Sequence, residues 1–104
     1  MADHGLSEKT VTVIRDILAE FPSVEKAVLY GSRANETFRH GSDIDLTLMG
    51  EGLNLQLLAD IAGKLEESPI PYQVDLSLWD QIDHPGLREH IQRVGVIFYE
   101  RKRS

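Results

Sequence analysis

From Ser42 to Leu48 the chain reads Ser-Asp-Ile-Asp-Leu-Thr-Leu, so that Ile44, Leu46 and Leu48 alternate strictly with Asp43, Asp45 and Thr47. Successive side chains on an extended strand point to opposite faces, so this pattern puts an apolar row on a core and a polar row on the other side. A helix cannot satisfy it, because a helical stripe repeats every three to four residues. The chain is therefore committed to a sheet with one apolar face that other elements must cover. The same alternation returns from Tyr72 to Leu78, with Tyr72, Val74, Leu76 and Leu78 opposite Gln73, Asp75 and Ser77.

Two further strands are expected, one over Lys26–Tyr30 that ends abruptly at Gly31-Ser32, and one over Val96–Glu100. Helical spacing supplies the cover. Ser7 reads as an N-cap, with Leu6 and Val11 placed as a hydrophobic staple. Val11, Ile14, Ile17, Leu18 and Phe21 then follow at helical intervals until Pro22, which makes 1–22 an N-terminal helical segment. Asn54 caps a second helix that turns Leu57, Leu58, Ile61, Ala62 and Leu65 inward and ends before Ser68-Pro69. Pro85 suits the first turn of a third, with Leu87, Ile91 and Val94 inward. Interleaved helices and strands predict a layered α+β domain, a small mixed sheet with helices packed on one face. At 104 residues the expectation is a single domain over 1–104, ending in a solvated basic tail at 101–104.

Composition narrows the function. Seventeen acidic against eleven basic side chains give a formal net charge of −6, so the chain advertises no basic face for a nucleic-acid backbone. There is no cysteine, which excludes disulfides, thiolate catalysis and Cys-based zinc sites. No apolar run approaches the roughly 20 residues of a membrane span, and no secretion signal is visible, so the expectation is a cytoplasmic protein with no membrane association.

The chemistry sits in the polar rows. Asp43 and Asp45 project to the same side of their strand, and Asp75 lies in the polar row of another. If those strands share a sheet, three carboxylates converge, and unpaired like charges raise one another's pKa. A divalent cation resolves that repulsion, and an all-oxygen set favours Mg²⁺, Mn²⁺ or Ca²⁺ over zinc or copper. A calcium loop is a poor fit, because the position needing a bidentate Glu is Asn54. Ten residues before Ser42, Gly31-Ser32 offers close backbone approach, free N–H groups and a hydroxyl, the donors a polyphosphate needs. Each position of the joint Gly-Ser, Asp-X-Asp pattern has a background chance of about one in fifteen, so chance produces it in roughly one chain in several hundred of this size.

The stretches Val28-Leu29-Tyr30-Gly31-Ser32-Arg33-Ala34 and Gly41-Ser42-Asp43-Ile44-Asp45-Leu46, with Val74-Asp75-Leu76 and His90-Ile91-Gln92-Arg93-Val94-Gly95, resemble the minimal nucleotidyltransferase (MNT) family of the DNA polymerase β-like nucleotidyltransferase superfamily. The resemblance spans Val24 to Tyr99 and implies a polymerase β-like fold. It implies that Asp43, Asp45 and Asp75 are catalytic carboxylates holding Mg²⁺, two ions in all, with Asp75 also activating the attacking hydroxyl. It gives phosphate binding to Gly31 and Ser32, with Arg33 and Ser42 as further nucleotide-binding candidates. It implies ATP as substrate, a HEPN-type helical partner encoded nearby, and a hetero-oligomer. The activity implied is transfer of AMP to a hydroxyl of that partner, a tyrosine, as the antitoxin of a toxin–antitoxin pair. Transfer to a small molecule with a partner supplying the acceptor site, and neutralisation by binding alone, are the alternatives. One departure is Glu36, where the family commonly has glycine.

Three other patterns carry no chemistry. Arg33-X6-His40 has the spacing of HEPN ribonucleases but crosses a glycine-bearing loop instead of a helix. His84 and His90 are six apart, not four, so they do not stack as zinc ligands. Tyr72, Trp79, Phe98 and Tyr99 are too scattered for a base-stacking platform and read as packing residues.

Overall fold

The computed structural model describes residues 6–31 and 43–101. Its elements run α1 (Glu8–Ala19), β1 (Lys26–Tyr30), β2 (Ile44–Met49), α2 (Leu55–Glu67), β3 (Val74–Leu78), a single 3-10 turn (Trp79–Gln81), α3 (Pro85–Val94) and β4 (Val96–Glu100). The strands form one mixed sheet in the order β3-β2-β1-β4. β1 pairs antiparallel with β2 and with β4, whereas β2 and β3 run parallel, joined by α2.

Local signals set the helix ends. The Ser7 side chain accepts a hydrogen bond from the Thr10 N–H at 3.2 Å, and Asn54 Oδ1 accepts from the Leu57 N–H at 2.8 Å. Each cap satisfies one of the donors a helix start leaves unpaired, typically contributing about 1 kcal/mol. Pro85 opens α3 as the sequence predicts, but the cap before it is His84, whose Nδ1 accepts from the Leu87 N–H at 3.1 Å. That is a structural role for a histidine that the sequence offers no metal partner.

The apolar rows of β1, β2 and β3 bury Ala27, Leu29, Ile44, Leu46, Leu48 and Leu78 beneath Val11, Ile14, Leu18, Ile61 and Leu65 of α1 and α2. Burial of each such aliphatic side chain is worth about 1.5–3 kcal/mol, and these contacts hold the layers together. Leu6 is fully buried and Val11 nearly so, consistent with the staple. The inward stripe of α2 is narrower than its sequence suggests, since Ala62 is exposed and Leu57 only half-buried.

α3 departs from the simplest layering. Val28 alternates with the core residues Ala27 and Leu29, so it faces the opposite side of the sheet, yet it is only 7% exposed. Gly95, just after α3, lies so close that a Cβ there would stand 2.6 Å from Val28 Cγ1. α3 therefore shelters part of the polar face while α1 and α2 cover the apolar one. The aromatics pack as expected, with Phe98 in the core, Tyr72 and Tyr99 against it, and the Arg88 guanidinium 4.1 Å from the centre of the Trp79 ring.

The expected basic tail is anchored at its first residue. Arg101 donates its backbone N–H to Glu25 O, and its guanidinium reaches Ala19 O, Phe21 O and Val24 O at 3.1, 3.2 and 3.4 Å. It thus closes the C-terminal end of α1, where carbonyls lack helical partners. A run of three basic residues suggested solvation, whereas long-range contact with α1 decides the outcome. Residues 102–104 lie outside the described residues.

Candidate functional site

The parallel register of β2 and β3 sets Asp45 directly beside Asp75, and the antiparallel register of β1 and β2 sets Tyr30 beside Asp45. Paired residues on neighbouring strands share a face, so Asp75, Asp45 and Tyr30 form one row across the sheet. Adjacent strands stand about 4.8 Å apart, which keeps the two carboxylates within strong electrostatic range. Asp43 is exposed immediately before β2, two residues from Asp45. The sequence could not supply the register, so it offered no signal for Tyr30.

Electrostatics follow from this placement. Burial holds the Asp45 carboxyl above its ordinary value, and the negative charges of Asp75 and then Asp43 push it further. The site is thus destabilised when Asp45 ionises without a cation nearby.

Gly31 closes the other side. It adopts φ +82°, a left-handed conformation that side chains disfavour, and a Cβ there would stand 2.5 Å from Asp45 Oδ2. Gly31 therefore lies against the Asp45 carboxylate, in contact that only a residue without a side chain permits. Ser32, Arg33 and Ser42, along with Glu36 and His40, lie outside the described residues.

Among the described residues, no group of three or more His, Cys, Asp or Glu side chains is placed to hold a metal ion. Asp43, Asp45 and Asp75 neighbour one another without making a preassembled cage. Their donor chemistry nonetheless fits a hard cation, being all carboxylate oxygen, and the repulsion at Asp45 is the kind that a cation relieves. Mg²⁺ in particular takes few protein ligands and completes its shell with water and substrate phosphates, so an open carboxylate edge suits it.

A small mixed sheet thus sets paired aspartates beside a left-handed glycine at the end of β1. The chain belongs to the Polymerase beta, Nucleotidyltransferase family, whose model matches residues 12–104, and is a nucleotidyltransferase. Comparison with curated protein sequences gives no significant match. Solved structures agree on the fold. A toxin–antitoxin complex with AMP-PNP matches at TM-score 0.71 and 21% identity, over 88% of this chain and 74% of that one. A tri-AMPylated Shewanella oneidensis HEPN toxin in complex with MNT antitoxin matches at TM-score 0.67 and 19% identity, over 90% and 72%. A nucleotidyltransferase fold from Sulfolobus solfataricus matches at TM-score 0.55 and 22% identity, over 89% and 82%.

Proposed function

We propose that this chain transfers AMP from ATP to a tyrosine hydroxyl of a HEPN-type helical partner encoded nearby, acting as the antitoxin of the pair. The observation that carries the reading is the Asp45–Asp75 register pair with Gly31 set against Asp45. The likeness to an MNT antitoxin complexed with an AMPylated HEPN toxin supports the choice of acceptor.

Asp43, Asp45 and Asp75 are the residues that would hold Mg²⁺, and a bound ion would neutralise the carboxylates and triphosphate and make the acceptor hydroxyl more acidic. Gly31 keeps the turn close enough for backbone approach to the phosphates, with Ser32 following it in the sequence and Arg33 and Ser42 as further contacts. The tyrosine oxygen attacks the α-phosphorus, forming a new P–O bond while the bond to the bridging oxygen breaks and pyrophosphate leaves. Asp75, exposed on the edge strand β3, takes the hydroxyl proton. Positioning and charge stabilisation provide most of the acceleration, since the protein is asked for little acid–base chemistry.

The test is to co-express the chain with its neighbouring HEPN-type protein and map modifications on the partner by mass spectrometry. AMP on a tyrosine is the expected result. A partner that is neutralised but unmodified supports the binding-only alternative and overturns the proposal.

A further inference from the structure

Two residues further along the same face, the register places Ser77 beside Thr47 and Thr47 beside Val28, in a row parallel to Asp75, Asp45 and Tyr30. This row is covered. Thr47 is 0% exposed and Ser77 half-buried, and Thr47 Oγ1 and Ser77 Oγ are both shut off from solvent without a hydrogen-bond partner among the described residues. Buried hydroxyls are nearly always paired, so two orphans side by side call for an occupant. Backbone groups of β2 are committed to its ladders with β1 and β3. Val28 on the far side is apolar, as is Ile91, the buried residue of α3.

The polar groups next along the face are Asp45 and Asp75. Two residues along a strand span about 6.6 Å, too far for short side chains to meet and close to the length of two hydrogen bonds through one water. We propose that Thr47 and Ser77 bind one internal water, which passes their hydrogen bonding on to the Asp45–Asp75 pair. Thr47 and Ser77 are then positioning residues that fix the carboxylates from below. The water site stands on the geometry alone; its effect on cation binding rests on the proposed nucleotidyl transfer.

The experiment combines a high-resolution crystal structure with Thr47→Val, Ser77→Ala and the double variant. Density for a water within hydrogen-bond distance of both hydroxyls is expected. Each single change should lower the melting temperature, and the double should lower it by less than their sum, because it removes both orphaned partners together. Titration of Mg²⁺ against protein with AMP-PNP should show a requirement raised about tenfold in Thr47→Val and in Ser77→Ala, as for lost supporting contacts at metal sites, and at the wild-type level in Thr47→Ser, which keeps the hydroxyl. Absence of the water, or strictly additive melting shifts, overturns the site. If wild type binds no Mg²⁺–AMP-PNP, the transfer reading fails while the water and the melting cycle still decide the site. A bound water with an unchanged Mg²⁺ requirement in the variants overturns the positioning role.

Discussion

Gly31 and Asp45 make opposing demands on one small volume, and single substitutions separate them. Gly31→Ala forces a Cβ onto the Asp45 carboxylate and keeps a side chain in left-handed backbone, which alone costs about 1–2 kcal/mol. The variant should melt lower than wild type and lose nucleotide affinity in AMP-PNP titrations; an unchanged melting temperature would show that the turn is not held against Asp45. Asp45→Asn should do the reverse for stability. The Asp45 carboxyl is raised in the folded state by burial and by Asp75 and Asp43, so the folded protein binds that proton more tightly than the unfolded chain does. Its contribution therefore destabilises the fold as pH rises from the ordinary value of 3.8 through the raised one, and is absent below both. Melting curves without divalent cation should show the Asn variant more stable than wild type at pH 7, with the gap closing on acidification. A gap of constant size across pH would remove the electrostatic account of the site.

Elements report on the anchors that join distant segments. Arg101→Ala removes three guanidinium contacts to carbonyls at the end of α1 and in the following turn. A loss of about 1–2 kcal/mol is expected, and each kcal/mol shifts the melting point of such a domain by about 4–8 °C, which calorimetry resolves. No shift would mean that the end of β4 does not brace α1. The contrast with the helix starts shows what sequence can carry. Ser7, Asn54 and Pro85 are local signals, readable from residues a few positions away, and the strand Lys26–Tyr30 lies between Pro22-Ser23 and Gly31-Ser32 in the sequence. Arg101 is read wrongly in isolation because its partners lie more than seventy residues away. The polar face was likewise legible only as polar: alternation put Asp45 and Thr47 together, whereas the cover that leaves Asp45 half-exposed and Thr47 buried is set by the tertiary packing and not by the alternation. Asp45 facing Asp75 was conditional on two strands sharing a sheet, and the parallel register supplied that condition.

Over the whole molecule, one side of the sheet is a core and the other is divided between a covered hydroxyl row and an open acidic row. α1 and α2 stabilise the sheet without approaching the carboxylate row, so chemistry and stability occupy different faces. Among the described residues no helix is long and apolar enough to cross a membrane. With a net charge of −6 and an acidic row at the site, the free protein should gain stability from divalent cations: adding Mg²⁺ should raise the melting temperature of wild type and leave Asp45→Asn nearly unmoved. The activity proposed for the Asp45–Asp75 pair is transfer of AMP to a protein. It is tested most directly by incubating the purified chain with the proposed HEPN-type partner, Mg²⁺ and α-labelled ATP, comparing wild type with Asp45→Asn and Asp75→Asn. Label on the neighbour with wild type and none with either folded variant is the predicted result. Equal labelling by wild type and the variants, or labelling by none while the complex forms, would contradict it.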